Sequence, residues 1–176
     1  MIRLFVAILV AVSGCAVAAP SAVSDLDLNR YQGTWYEVAR MPNRFQKACV
    51  QAAVARYQRL DSGRLSVENQ CETANGKRKT ARGIARQPDP NQPGKLAVSF
   101  FSILGIRPIW GAYWVLAIDA DYSVAVVGDA KQTYAWILSR TPTLTNDRMQ
   151  DAIAVLVRNG YDTGTLIQSN FAIGTK

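Results

Sequence analysis

The chain has 176 residues, 49% of them hydrophobic, which is enough for one globular domain with its own core. It contains 20 basic and 13 acidic residues and no histidine. The missing histidine excludes Ser-His-Asp and Cys-His catalytic machinery and deprives any metal site of its commonest ligand. The net charge of +7 gives at most a weak preference for anionic ligands or membrane surfaces, and we expect no nucleic-acid partner.

The first fourteen residues have the layout of a secretory signal. Arg3 gives a positive start, Leu4 to Val12 form a nine-residue apolar run, and small residues follow. The run is too short to span a bilayer as a mature helix. We therefore assign residues 1–14 to a signal peptide.

The segment Val12-Ser13-Gly14-Cys15 resembles the bacterial lipoprotein box, in which the cysteine is diacylated and becomes the new N-terminus. The resemblance implies lipidation of Cys15 and, because the next residue is not Asp, sorting to the outer membrane with the chain facing the periplasm. Cleavage after Ala16-Val17-Ala18 also fits the small-x-small rule and would give a soluble periplasmic or secreted protein. We assign residues 15–28 to a lipidated tether and residues 29–176 to one domain.

Eight candidate strands follow, separated by turn residues such as Asp61-Ser62-Gly63 and Asn75-Gly76. β-branched and aromatic residues dominate the runs between these turns. Regular short strands with such connections predict a β-sandwich or an up-and-down barrel. The predicted strands span about residues 33–40, 49–59, 64–71, 77–87, 95–102, 112–119, 123–129 and 133–140.

After Pro142 the apolar period changes to that of a helix. Apolar residues fall at i, i+3, i+4, i+7 and i+8, namely at Met149, Ala152, Ile153, Leu156 and Val157. Thr145 or Asn146 can cap the start of this helix, and Gly160 lies just past its end. One amphipathic helix after eight strands should pack outside the sheet, and a short strand over residues 166–169 should follow it.

Cys49 and Cys71 form an even pair once Cys15 is set aside, and they flank the predicted turn at 61–63. In an oxidising compartment such a pair predicts a disulfide. Strict pairing around the turn leaves Cys71 a few residues from the position opposite Cys49. A bulge or a longer turn is therefore required, because bridged Cα atoms must lie within about 7 Å.

Three short motifs stand in order along the predicted strands. Gly33-x-Trp35 opens the first strand, Tyr113-Trp114-x-Leu116-x-Ile118-Asp119 lies in the sixth, and Arg140 ends the eighth. Their order, their spacing and the helix that follows closely resemble the lipocalins, in particular the bacterial outer-membrane lipoprotein lipocalins and their apolipoprotein D-like relatives. The resemblance runs from about Asn29 to Ile167.

The resemblance implies an all-β fold, an eight-stranded antiparallel up-and-down barrel with a C-terminal amphipathic helix packed outside. It also implies that Arg140 lies over the indole of Trp35 at the closed end, and that Gly33 and Asp119 have structural roles. An Arg on a Trp face contributes about 1–2 kcal/mol in a partly desolvated place. The turn after the sixth strand departs from the family, because Ile118-Asp119-Ala120 stands where many members have Thr-Asp-Tyr. The family does not require the cysteine pair.

Alternation back from Arg140 selects inward positions that are apolar and often small, which favours a ligand cavity over a fully packed core. The packed core remains the alternative, and in the second strand Val50, Ala52 and Val54 could face inward instead. The predicted ligand-binding residues are Ala53, Ala55, Tyr57, Leu65, Val67, Asn69, Phe100, Tyr113, Val115, Tyr134, Trp136 and Leu138. The same alternation also places Ala81, Gly83, Ala85, Leu96, Val98 and Ala117 inside.

The loops after the first, third, fifth and seventh strands should surround the mouth, because Trp35 begins the first strand at the closed end. Two of these loops carry apolar residues where polar ones are expected: Phe45, Ile103, Leu104, Ile106, Ile109 and Trp110. The second loop could fold over a ligand, dock on a membrane, form a homodimer contact or pack on its own rim.

The function expected from these features is binding, storage or transport of a hydrophobic ligand, a fatty acid or lysophospholipid, at the outer membrane. We expect no enzymatic activity, no cofactor and no metal. One alternative is a packed barrel that acts as a membrane- or protein-docking module. The other is a thiol-dependent lipocalin enzyme, in which an unpaired Cys49 or Cys71 would serve.

Overall fold

Eight antiparallel strands follow one another around a barrel in chain order, and one helix packs outside. The computed structural model describes residues 19–169, so the predicted signal peptide and Cys15 lie outside the described residues. The elements are α1 (Leu28–Tyr31), β1 (Gly33–Arg40), β2 (Val54–Arg59), β3 (Leu65–Glu72), β4 (Arg78–Arg86), β5 (Lys95–Ser99), β6 (Gly111–Ile118), β7 (Val124–Gly128), β8 (Ala135–Ser139), α2 (Asn146–Arg158) and β9 (Ile167–Gln168).

The barrel closes because β1 pairs with both β2 and β8. The first half of β1 pairs with β2, Gly33 opposite Tyr57, and its second half pairs with β8, Arg40 opposite Trp136. At the mouth end β1 leaves β2, and its last two residues pair with β9. The closed antiparallel barrel with α2 outside confirms the predicted fold and excludes the sandwich.

Two predicted strand limits are wrong. β2 begins at Val54 rather than at residue 49, and β5 ends at Ser99 rather than at residue 102. Before Val54 the ladder shifts, because Cys49 forms an isolated bridge with Thr73, whereas the β2–β3 register would place it opposite residue 75. This shift provides the irregularity that the disulfide needs, and the Cys49–Cys71 bond forms with Cα atoms 5.7 Å apart.

The barrel packing begins before the predicted domain boundary at residue 29. Leu26 and Leu28 are buried in the interior, and the Val23 amide donates to the carbonyl of Val115. Asp27 caps α1 by accepting from the Asn29 amide at 2.7 Å. Residues 23–28 of the predicted tether are therefore corrected to part of the barrel. The sequence could not predict this, because a four-residue helix is too short to show an apolar period. Within residues 19–169, no helix is both long and apolar enough to cross a bilayer.

Two bulges set which side chains face inward. In β1 the register shifts between Glu37 and Ala39, so Val38 and Ala39 both join the cluster under α2. In β6 a shift after Val115 places Ala117 in that same outer cluster and turns Ile118 inward. The inward position predicted for Ala117 is therefore wrong, because alternation cannot anticipate an extra residue in a strand.

Candidate functional site

Arg140 lies over the Trp35 ring at the closed end, with its Cζ atom 3.8 Å from the ring centroid. Its guanidinium donates to five carbonyls, those of Arg30, Tyr31, Gln32, Thr34 and Tyr122, at 2.8–3.3 Å. Gly33 has a φ of +101°, and a Cβ there would lie 3.1 Å from the Arg140 Nη1 atom. These residues hold α1, β1 and the β6–β7 turn together, which is the structural role that the resemblance implied.

Asp119 organises the turn between β6 and β7. Its carboxylate accepts from the Ser123 and Val124 amides at 2.7 and 2.9 Å and forms an ion pair with Arg148 of α2. The turn is therefore joined to the helix through one side chain. Asp119 thus contacts both the β6–β7 turn and α2, although its neighbours Ile118 and Ala120 depart from the family pattern.

Three tyrosine hydroxyls meet inside the barrel. The Tyr113 hydroxyl lies 2.7 Å from that of Tyr31 and 2.8 Å from that of Tyr57, so the group crosses the interior from β6 to α1 and β2. Burial raises the pKa of Tyr57 to about 12 and raises the pKa values of Tyr31 and Tyr113 well above 10. All three hydroxyls therefore keep their protons at neutral pH. We call this group the tyrosine triad.

The closed half of the interior is packed. Side chains from α1 and four strands are each 2% exposed or less: Tyr31, Trp35, Leu65, Leu96 and Val115. The same cluster also buries Ala55, Tyr57, Val67 and Leu138. Of the two alternatives for β2, Ala55 and Tyr57 are therefore the residues that face inward. Val50, from the other phase, is 59% exposed. Because these side chains are packed together in one buried cluster, they form the base of the interior.

The mouth half of the interior is lined by three small residues, Ala53, Ala81 and Gly83, and by three larger ones that are partly exposed, Asn69, Tyr113 and Trp136. Ala81 faces inward opposite Asn69, yet it is exposed. At Gly83 a Cβ would come within 2.8 Å of the Phe100 ring, so the aromatic ring lies directly on the glycine. We call this half the cup and define it by Ala53, Asn69, Ala81, Gly83, Tyr113 and Trp136.

Phe100 and Tyr134 stand at the edge of the cup. Phe100 follows the last residue of β5 and is 45% exposed, so it belongs to the mouth rather than to a strand. The Tyr134 ring lies 5.3 Å from that of Phe45 and 6.2 Å from that of Trp136. The structure thus brings most of the predicted ligand-binding residues to one interior but divides them between base, cup and edge.

A polar network in the cup wall was not predicted. Glu37 forms an ion pair with Arg40 at 3.0 Å and accepts from the Gln46 amide nitrogen at 2.5 Å. The Gln46 carbonyl oxygen accepts in turn from the Trp136 indole nitrogen at 3.1 Å. Alternation from Trp35 already places Glu37 inside, so this residue could have been found. Arg40 turns inward only because of the bulge in β1, and Gln46 belongs to a loop.

Glu37 should make stability depend on pH. Burial raises the pKa of its carboxyl above the ordinary 4.5, and the Gln46 hydrogen bond and the Arg40 charge offset this only in part. Because the folded state binds the proton more tightly than the unfolded state, this contribution is present at low pH and is lost as pH rises from 4.5 through the raised pKa. The free energy of unfolding can be measured in urea for the wild-type protein and for Glu37→Gln. The difference, wild type minus variant, should decrease as pH rises through this range.

The control for this measurement is Glu68→Gln, which removes a carboxylate from the outer face of β3. If the difference between wild type and Glu37→Gln were constant with pH, the buried carboxyl would have no part in the pH dependence.

The β5–β6 loop extends an apolar tip into solvent. Ile103 and Ile106 exchange two backbone hydrogen bonds, and Leu104 and Gly105 between them both have positive φ, as in a tight hairpin turn. Leu104 is 97% exposed, and Ile103, Ile106 and Ile109 are also exposed. The tip therefore does not pack on its own rim.

Trp110 is the exception among the predicted mouth residues. Arg86, which lies on the outer face of β4, stacks on its ring at 4.1 Å, and the Trp110 indole donates to the Arg107 carbonyl at 2.7 Å. The assignment of Trp110 to the apolar mouth group is corrected, because the cation on the outer face holds the ring there. Phe45, by contrast, lies at the mouth and is 52% exposed.

Few groups suited to catalysis occur in the part of the chain that the structure describes. Cys49 and Cys71 are bonded to each other, so neither presents a free thiol. Among residues 19–169, no three His, Cys, Asp or Glu side chains gather closely enough to hold a metal ion. The site is best described as an apolar cup with a polar wall.

Comparisons with known proteins agree with this geometry. Temperature-induced lipocalin-1 of Arabidopsis thaliana is 38% identical over 147 residues, covering 82% of this chain and 78% of the relative. Outer membrane lipoprotein Blc of Escherichia coli strain K12 is 36% identical over 148 residues, covering 84% and 80%. Insecticyanin of the tobacco hornworm Manduca sexta shares the fold, with a TM-score of 0.69 at 24% identity over 91% of this chain and 87% of that chain. The lipocalin-like domain family matches residues 26–170, and the chain belongs to the lipocalin family.

Proposed function

We propose that the cup binds one fatty acid or lysophospholipid for storage or transport at the outer membrane, and that the protein is not an enzyme. The observation that carries this proposal is on the inward face of β4, where Ala81 is exposed although it points into the barrel. Membership of the lipocalin family supports a hydrophobic ligand.

Burial of an acyl chain supplies the affinity. Each methylene moved from water into an apolar site stabilises the complex by about 0.8 kcal/mol, so twelve of them give roughly 10 kcal/mol. The cost of immobilising the lipid offsets part of this, and an affinity of about 1 μM or tighter remains. The edge residues Phe100 and Tyr134, together with Trp136 in the cup, extend the apolar contact to the mouth.

The location at the outer membrane rests on the N-terminal sequence and on one relative. The Escherichia coli relative is named an outer membrane lipoprotein. Cys15 would provide the corresponding lipid anchor here, and the residues between Cys15 and Val23 would supply a short tether to the barrel, which begins where the Val23 amide donates to the Val115 carbonyl.

The mouth has the chemistry to face a membrane surface with anionic lipid. Leu104 and Ile106 form an exposed apolar tip, and Lys47, Lys77 and Lys79 line a shallow groove at the same end of the barrel. Apolar side chains beside lysines are typical of surfaces that lie in the headgroup region. This orientation would let a lipid pass between bilayer and cup without crossing water.

Titration of the delipidated mature protein tests the proposal. Hexadecanoic acid and lysophosphatidylethanolamine, added below their micellar concentrations, should change tryptophan fluorescence saturably at one lipid per chain, because Trp136 lies in the cup. The control Trp136→Phe should lose most of the signal while calorimetry still detects binding. Absence of both a fluorescence change and heat in the wild-type protein would refute lipid binding.

A further inference from the structure

We propose that the inner end of the cup receives a neutral hydroxyl or protonated carboxyl group of the ligand, so that a fatty acid or fatty alcohol is inserted polar end first. This inference rests on the proposed lipid-binding function and deepens it. Two observations inside the barrel carry it: a hydroxyl hydrogen without an acceptor in the tyrosine triad, and a buried acceptor without a donor on Asn69.

The tyrosine triad has one hydrogen more than it can use. Tyr31, Tyr57 and Tyr113 supply three hydroxyl hydrogens, but the triad contains only two hydrogen bonds, both to the oxygen of Tyr113. Within residues 19–169, no other hydrogen bond of these three hydroxyls is found. When Tyr31 and Tyr57 both donate to Tyr113, the hydrogen left over is that of Tyr113, the partly exposed member of the triad.

Asn69 provides the complementary group. Its Oδ1 atom is buried and has no hydrogen-bond partner among the described residues. Asn69 is opposite Ala55, and Tyr57 is opposite Val67, so Asn69 and Tyr57 are diagonal neighbours on one face with Cα atoms about 7–8 Å apart. An unpaired buried acceptor is unfavourable, and a ligand that donates a hydrogen bond to it removes this cost.

A hydroxyl group fits this pair because it accepts one hydrogen bond and donates another. A protonated carboxyl group has the same two capacities. An ionised carboxylate fits poorly, because the interior cations are already engaged: Arg40 with Glu37, and Arg140 with the carbonyls at the closed end. The buried Glu37 carboxyl in the cup wall also disfavours a second negative charge.

The test compares two probes that differ by one hydroxyl group, dodecan-1-ol and dodecane, by displacement of a fluorescent fatty-acid analogue. Asn69→Leu removes the acceptor, and the triple variant Tyr31→Phe, Tyr57→Phe, Tyr113→Phe removes every hydroxyl of the triad. Each should weaken dodecan-1-ol binding about five- to tenfold and leave dodecane binding unchanged or stronger. Tyr161→Phe, in the outer cluster under α2, should change neither affinity.

The triple variant should fold, because replacing hydrogen-bonded groups together by apolar groups of the same shape is nearly neutral. Circular dichroism and the thermal midpoint check this, and Asn69→Leu alone carries the comparison if the triple variant unfolds. Equal losses for both probes would overturn the polar-end-first inference but leave the lipid cup intact. Failure of the wild-type protein to bind the fluorescent analogue or either probe would overturn the proposed function itself.

Discussion

Replacing Arg140 with alanine is expected to lower the free energy of unfolding by about 3 kcal/mol, because hydrogen bonds to a charged group contribute about 1.5–3 kcal/mol and a cation on an indole adds about 1 kcal/mol. The side chain donates to carbonyls of α1, of β1 and of the β6–β7 turn, and its loss leaves one face of the Trp35 ring uncovered. Water replaces part of the bonding, since Arg140 is partly exposed. The thermal midpoint of the mature protein should fall by about 6–12 °C.

Arg140→Lys is the matched control for this prediction. Lysine keeps the charge over the ring but cannot donate to several carbonyls in one plane, so it should recover less than half of the loss. A midpoint equal to that of the wild-type protein in Arg140→Ala would show that the closed end is held by packing alone.

Filling the cup with a large side chain should strongly weaken lipid binding without unfolding the barrel. Ala81 is exposed although it faces inward on β4, so a tryptophan there has space that a ligand would otherwise occupy. An indole displaces roughly four methylenes of an acyl chain, worth about 3 kcal/mol at 0.8 kcal/mol each, and affinity should fall about a hundredfold. Calorimetric titration of Ala81→Trp with hexadecanoic acid measures this loss.

Thr80→Trp places the same side chain on the outer face of the same strand, one residue away. It should bind hexadecanoic acid like the wild-type protein, and both variants should keep their thermal midpoints within about 3 °C. Equal affinity of Ala81→Trp and Thr80→Trp would place the lipid outside the cup.

The parts of the fold that depend on local signals could be predicted from the sequence. β1 and the start of α2 follow from alternation, from the helical period and from turn residues, and the structure places them at or within a residue of the predicted limits. The pairing of Trp35 with Arg140 was available only through the motifs of the family. Two residues a hundred positions apart leave no periodic signal of their contact.

The features that could not be predicted lie where the chain departs from a regular helical or strand period. A single extra residue in β1 turns Arg40 into the barrel, and the same kind of bulge moves Ala117 out. α1 has one turn, too few residues for a helical pattern. Gln46 reaches Glu37 and Trp136 from a loop, where side-chain direction depends on tertiary contacts rather than on position in the sequence.

Native mass spectrometry of the protein taken from its own membrane tests the central claim most directly. We expect a chain that begins at a diacylated Cys15 and retains one additional fatty acid or lysophospholipid, which is lost in Ala81→Trp and kept in Thr80→Trp. A chain that carries no lipid beyond its anchor, and that takes none up when mixed with hexadecanoic acid, would contradict the account.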